Sequence, residues 1–172
     1  MDTLLETERL AIRPLATTDR NFILELLNTP SWLQFIGDRK VRTPEDAENY
    51  LVNGPLKSYK EYGFGPWLVS SLENDGIPIG ICGFFKRDFL PAPDLGFAFL
   101  PEFEGRGYAA EAVTVILAYA ERDLSLKNVV AFTEINNARS IRLLERSGFQ
   151  FKEMIRPPKE DHSLMLFSLD LL

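Results

Sequence analysis

The 172 residues are 45% hydrophobic and 26% charged, which fits one globular domain of ordinary size and leaves no compositional sign of disorder. With 19 basic and 25 acidic residues the formal charge is −6, which excludes broad nucleic-acid binding, because that needs basic surface to displace counterions. A single cysteine, Cys82, and a single histidine, His162, exclude an internal disulfide and argue against any metal site of the Cys/His kind.

The opening MDTLLETERL carries acidic residues and no long apolar stretch, so neither a signal peptide, a membrane anchor nor any membrane partner is expected, and the cytoplasm is the default location. Residues 9–15 alternate around Leu10 and Ile12 and read as a strand. Thr17, Thr18 and Asp19 offer capping oxygens to a helix over 21–28, which Pro30 is expected to end. Thr43-Pro44-Glu45-Asp46 starts another helix, running to about Asn53, where Gly54-Pro55 is expected to interrupt it before a second piece reaches Tyr62. Residues 67–72 and 77–86 read as two strands joined through Asn74-Asp75-Gly76, which supplies the positive backbone angles a hairpin needs. Residues 95–100 form a third strand; a helix from Tyr108 to about Asp123, a strand over 128–133, a helix over 138–147 stopped by Gly148, and strands over 149–155 and 164–169 follow. Cys82 sits in the apolar run 79–85 and reads as core. The hairpin run and crossover helices predict one α/β domain over 1–172: a mixed, mostly antiparallel sheet of about six to seven strands with helices on both faces.

Two stretches carry chemistry. In FAFLPEFEGRGYAAEA (residues 97–112) a strand runs through a loop with Gly105 and Gly107 straight into a helix. A helix start has unpartnered N–H groups and partial positive charge, and glycines let backbone approach a ligand closely, so the stretch suits a phosphate cradle with Arg106 adding charge. Residue 110 is alanine, so the dinucleotide fingerprint is not met, and no Gly-Lys-Ser/Thr ends the motif, so it is not a P-loop. In VVAFTEINNARSIRLLERSGF (residues 129–149) a strand ends at paired asparagines and a helix begins. Asn137 suits a helix cap, and Ser140 is an ordinary first-turn residue, when each is taken alone.

Taken together and in order, the EGRGYAAEA loop, the Asn-x-x-Ser helix start, the LERSGF ending and the opening LETERLAIRPL resemble the GNAT superfamily of N-acetyltransferases, and within it the RimJ/RimL group that acetylates ribosomal-protein N-termini. The resemblance spans residues 5–169. It implies an acetyl-CoA-dependent enzyme, needing no metal, that transfers acetyl to a primary amine on a small molecule or a protein N-terminus, and that is a monomer or homodimer. It implies that the amides of Glu104, Gly105, Arg106, Gly107, Tyr108 and Ala109 hold the coenzyme A diphosphate, that Phe99 and Leu100 pair with the pantetheine arm, and that Asn137 bonds that arm. Ser140 would hydrogen-bond the departing thiolate, Leu144 standing where many members have Tyr. Asp94 is the first candidate for the base, with Glu102 and Glu134 as rivals. Glu111 either stabilises the helix start or touches substrate, Arg139 and Arg142 either meet phosphates or line a solvated face, and His162 reads as structural. The aromatic side chains Trp32, Phe35, Tyr59, Tyr62, Phe64 and Trp67 fit either an acceptor wall or core. The alternative to an enzyme is a coenzyme A-binding sensor or scaffold with the same fold.

Overall fold

The computed structural model describes residues 2–171. Eight strands form one sheet: β1 (Leu5–Glu6), β2 (Leu10–Pro14), β3 (Pro66–Ser71), β4 (Ile77–Phe85), β5 (Asp94–Phe99), β6 (Asn128–Thr133), β7 (Gln150–Ile155) and β8 (Leu164–Asp170). Their order is β1-β2-β3-β4-β5-β6-β8-β7, and every neighbouring pair is antiparallel except β5 and β6. The expected mixed sheet is therefore present, with an additional strand. That strand is β1, whose two residues are too few for an alternating pattern to register.

Six α-helices accompany it: α1 (Arg20–Leu26), α2 (Pro30–Phe35), α3 (Pro44–Leu51), α4 (Lys57–Tyr62), α5 (Tyr108–Arg122) and α6 (Ala138–Arg146). All six residues of β3 are buried, so this central strand is covered on both faces. On one of them Trp67 meets Tyr119 of α5 edge-on, with ring centroids 5.7 Å apart. Helix α5 buries Tyr108, Ala112, Val113, Ile116, Leu117 and Ala120, the stripe that its 3.6-residue period brings to one side. Cys82 is completely buried, as expected, and burial pushes its thiol well above the ordinary range.

Two helix boundaries differ from the sequence expectation. Pro30 does not merely end a helix; it begins α2, because Thr29 caps the new turn by accepting from the Trp32 amide and Pro at the first position has no amide to waste. Gly54-Pro55 does not interrupt the next helix. The chain passes through a widened π turn, Val52–Leu56, and continues directly into α4, since the wider turn lets the chain accommodate the missing Pro55 donor. The start of α3 is as expected: Thr43 accepts from the Asp46 amide and the Asp46 carboxylate accepts from the Thr43 amide, both at 3.1 Å. Among the described residues no helix is long and apolar enough to cross a membrane.

Candidate active site

The parallel pair β5 and β6 is joined at one register position only, Asp94 opposite Val130, where the Val130 amide donates to the Pro93 carbonyl at 3.0 Å. Beyond it the strands separate, so the sheet holds a wedge, closed at Asp94 and open toward the ends of both strands. On its other side β5 is fully paired with β4. Backbone groups alternate along a strand. Because the Leu100 amide donates to Ile79 at 2.9 Å, the N–H and C=O groups of Phe97 and Phe99 face away from β4 and into the wedge. This corrects the expectation for Leu100. Its amide is committed to Ile79 and its carbonyl accepts from Phe103, so it has no free backbone group to offer a ligand. Phe99 does.

At the open end the chain leaves β5 through a 3-10 turn, Pro101–Phe103, and enters α5 across Gly105 (φ +73°) and Gly107 (φ +82°). Both glycines occupy the left-handed region, where a side chain costs roughly 1 kcal/mol. Gly107 is the N-cap of α5 and supplies no capping side chain, and the first helical bond runs from Glu111 N–H to Gly107 C=O. The amides of Tyr108, Ala109 and Ala110 are thus left for an external acceptor. The Tyr108 side chain is buried and its hydroxyl donates to Glu73 at 2.8 Å, so only its backbone faces the loop.

A clamp holds this loop. The Glu111 carboxylate accepts from the Thr7 hydroxyl at 2.6 Å and from Arg9, through its amide at 3.0 Å and its Nε at 2.7 Å. Arg9 then donates from Nη1 to the Arg106 carbonyl at 3.0 Å and lies 4.4 Å above the Tyr108 ring. Burial pushes the Glu111 carboxyl up, but the hydrogen bonds from Thr7 and Arg9 outweigh it and hold the group below its ordinary pKa. Glu111 is therefore fully engaged in fastening the β1–β2 connection to the helix start.

Helix α6 starts at the same end of the wedge. Asn137 is its N-cap, and its Oδ1 accepts from the Ser140 amide at 3.3 Å. The capping role is thus observed, while the Asn137 Nδ2 has no partner among the described residues, nor does the half-buried Ser140 hydroxyl. Arg139 reaches across the mouth to Glu104 at 2.6 Å, and Glu104 also accepts from Ser31 at the start of α2 at 3.2 Å. The glycine loop, Asn137 and Ser140 are therefore brought together, although they lie in separate segments of the chain. Arg106 is exposed, with its guanidinium 5.8 Å from the Phe103 ring centroid.

Residues 9–150 match the family model described as an acetyltransferase (GNAT) domain. The chain belongs to the GNAT family. Among its relatives is the uncharacterized N-acetyltransferase YnaD of Bacillus subtilis, 25% identical over 146 residues, which are 85% of this chain and 82% of YnaD. An acetyltransferase of Agrobacterium tumefaciens superposes with a TM-score of 0.79 at 26% identity, covering 98% of this chain and 94% of the other. The fold is shared with RimL, a ribosomal L7/L12 alpha-N-protein acetyltransferase solved in complex with coenzyme A (TM-score 0.84, 15% identity, coverage 99% and 98%). This GNAT protein is accordingly an N-acetyltransferase.

The remaining expected residues of the GNAT chain lie elsewhere. Asp94 stands at the closed end, about 16 Å along β5 from Phe99 at ~3.3 Å per residue, and so apart from Ser140. It is 2% exposed, and Arg87 Nε donates to both of its oxygens at 3.0 and 3.2 Å. Burial raises its carboxyl to about 6, against the opposing pull of the Arg87 charge. Its oxygens thus face Arg87 rather than open space. Glu134 is bound by His162 Nε2 at 2.7 Å, which makes His162 a tie between the β7–β8 loop and the end of β6. Glu102 and Arg142 are exposed, and Leu144 is core. Trp32, Phe64 and Trp67 are also core, Tyr59 spends its hydroxyl on Leu15 and Pro66, and of that aromatic group Tyr62 lines a cavity. The residues that reading the sequence missed are Thr7, Arg9 and Arg87. Arg9 reaches a partner 102 positions away, which no local pattern reveals.

Proposed function

We propose that this N-acetyltransferase moves the acetyl group of acetyl-CoA directly onto a primary amine. The observation that carries the reading is the wedge itself. One end offers uncapped α5 amides and a clamped glycine loop, and one wall offers the unpaired backbone groups of Phe97 and Phe99. A diphosphate suits the first, since anions are favoured at a helix start. An extended amide-bearing arm suits the second, by strand addition.

Acetyl-CoA supplies an activated acyl thioester. The residues of this chain bind and orient it: Gly105 through Ala109 by backbone at the diphosphate, Phe99 along the arm, and Asn137 through its Nδ2, whereas the expected Glu104 amide is committed to the Pro101 carbonyl at 3.2 Å. Holding thioester and amine side by side removes much of the barrier. The Phe97 N–H, farther along the wedge from the glycine loop than Phe99, is the candidate donor to the carbonyl oxygen as charge develops there. The C–N bond forms as the C–S bond breaks, and the proton lost by nitrogen balances the one gained by sulfur. The Ser140 hydroxyl, without a partner among the described residues, hydrogen-bonds the departing thiolate, and water carries the amine proton away. We assign Asp94 a positioning role through Arg87, because that arginine engages both of its oxygens.

An acceptor screen reading free thiol, paired with calorimetry for coenzyme A, tests this. Ser140→Ala is expected to lower turnover about 10- to 100-fold at unchanged coenzyme A affinity, and Asn137→Ala to weaken coenzyme A and cost α6 its cap, ~1 kcal/mol. Folded protein with no affinity for coenzyme A overturns the reading.

A further inference from the structure

At the closed end of the wedge, α4, the π turn before it, the α2–α3 connection and the adjoining ends of β3 and β4 line a half-open hollow of about 360 Å³. That size falls within the range of small-molecule sites. Its charged lining is Arg39, Lys57, Lys86 and Arg87 against one carboxylate, Glu61, in a chain whose formal charge is −6. Glu61 lies 3.8 Å from Lys57 and is directed to it. Arg39 and Lys86 are exposed and, among the described residues, have no acidic partner within ion-pair distance. Arg87 spends Nε on Asp94, leaving its two terminal nitrogens unbonded among the described residues.

Tyr50 lines the same cavity and an adjoining hollow of about 440 Å³ that also includes Arg39. Burial raises its hydroxyl pKa while the charges of Arg39 and Arg87 pull it back, so both guanidiniums act on one phenol. Arg87 and Lys57 have Asp94 and Glu61 as counter-charges, but Arg39 and Lys86 have none among the described residues; cations gathered in a concave place repel one another, and an anion relieves that repulsion. Arg87 also connects the cavity to the reaction path, since its partner Asp94 is the residue at which the wedge closes.

We infer that the acetyl acceptor is a small amine that carries its own anionic oxygens, a carboxylate or a phosphate, held by Arg39, Lys86 and Arg87 with Tyr50 as a neutral donor. This rests on the transfer reaction proposed above and names its substrate class. The Arg87 guanidinium lies 5.2 Å from the Phe132 ring centroid, two residues beyond Val130 toward the open end, so an acceptor anchored there directs its amine along the wedge toward the thioester carbonyl at Phe97, ~10 Å along β5 from Asp94. Guanidinium groups match both oxyanions in shape, and charge-assisted hydrogen bonds are the strong ones.

The test is thiol release at saturating acetyl-CoA with matched acceptors: β-alanine against β-alaninamide, phosphoethanolamine against ethanolamine, and spermidine as a cationic member. The anionic member of a pair is expected to show kcat/KM about tenfold or more above its neutral counterpart, with the advantage shrinking as salt rises. Whichever anion gives the larger ratio names the group. Arg39→Gln and Lys86→Gln replace exposed side chains with no ion-pair partner among the described residues, so folding is spared. Each is expected to shrink the advantage several-fold at unaltered coenzyme A affinity. Equal or better turnover of the neutral or cationic members, or no turnover of any anionic one, overturns the acceptor class. Calorimetric coenzyme A binding on the same protein reports separately on the transfer reading.

Discussion

The clamp formed by Thr7, Arg9 and Glu111 gives the sharpest test of how this protein prepares its diphosphate site. Replacing Arg9 by Gln removes three things: the Nε–carboxylate pair at 2.7 Å, the bond to the Arg106 carbonyl at 3.0 Å, and the cation stacked 4.4 Å from the Tyr108 ring. The ion-pair side chains are 28% and 21% exposed, so their charge interaction is partly screened by solvent. Discounted in that way, the pair contributes about 0.5–1 kcal/mol, the carbonyl bond about 1 and the stacked cation about 0.5–1, and because they share one side chain they do not add fully. A loss near 2 kcal/mol is reasonable. The part that matters for function is what the clamp spares the ligand. A loop that must be ordered on binding charges the ligand ~1–2 kcal/mol per residue fixed, so one newly mobile residue raises the coenzyme A Kd about tenfold.

Charge alone makes a similar prediction for Arg9→Gln, since a cation is removed near an anion. Glu111→Gln separates the two causes. It removes a negative charge from the first turn of α5, which on electrostatic grounds tightens anion binding. It also weakens the clamp, which on the structural argument loosens binding. The expected result is a Kd raised about tenfold in Arg9→Gln and a few-fold in Glu111→Gln, measured calorimetrically beside thermal melting. Tighter coenzyme A binding in Glu111→Gln refutes the argument that the clamp pre-forms the loop.

Three further outcomes follow from the geometry. In Gly80→Ala the new Cβ would lie 2.5 Å from the Phe99 ring and 2.6 Å from the Ala98 carbonyl, so Phe99 must shift; a loss of about 1–3 kcal/mol and a weaker coenzyme A affinity are expected in denaturant titration and calorimetry, and an unchanged affinity argues against Phe99 as a ligand wall. The Asp94 carboxyl is raised from 3.8 to about 6 by burial, so its contribution to stability is fully present below about 4 and is lost as pH rises through about 6; Asp94→Asn lacks that loss, and its melting temperature relative to the parent is expected to improve from pH 4 to 7 while kcat stays within about threefold, whereas a drop of about 100-fold or more restores Asp94 as the base. The His162 imidazolium is raised from 6.5 to about 9 by hydrogen bonds to Asp161 and Glu134, so its tie to β6 is intact below about 6.5 and released as pH rises through about 9; the histidine ring shifts followed by NMR are expected to titrate near 9 in the parent and near 6.5 in Glu134→Gln/Asp161→Asn.

What could be read from the sequence was whatever the chain states within a few residues. Gly105 and Gly107 declared a backbone conformation that other residues resist, and both have it. Asn137 and Ser140 declared a helix start, and the Asn137 side chain caps it. The apolar run over residues 129–132 declared a strand, and Asn128–Thr133 is the strand observed. Leu100 was misassigned because the pleat decides which neighbour's backbone faces the wedge, and the phase of that pleat is set by pairing with β4 rather than by the residues themselves. Arg9 and Glu111 find each other across 102 positions, where no period reaches.

The acceptor side shows the same limit in electrostatic form. A formal charge of −6 points toward cationic substrates, as a sum over the whole surface must. At physiological salt, however, a charge is felt over only about 8 Å, so a ligand in the cavity responds to Arg39, Lys86 and Arg87, offset by Asp94 on Arg87, with Glu61 directed to Lys57, and hardly to the distant carboxylates. Those three residues come from two separate stretches, the connection between α2 and α3 and the end of β4, and only the fold brings them to one hollow. The sign of the field at a site is thus a property of the fold. For this enzyme it opposes the sign of the chain, and substrate choice should follow the fold.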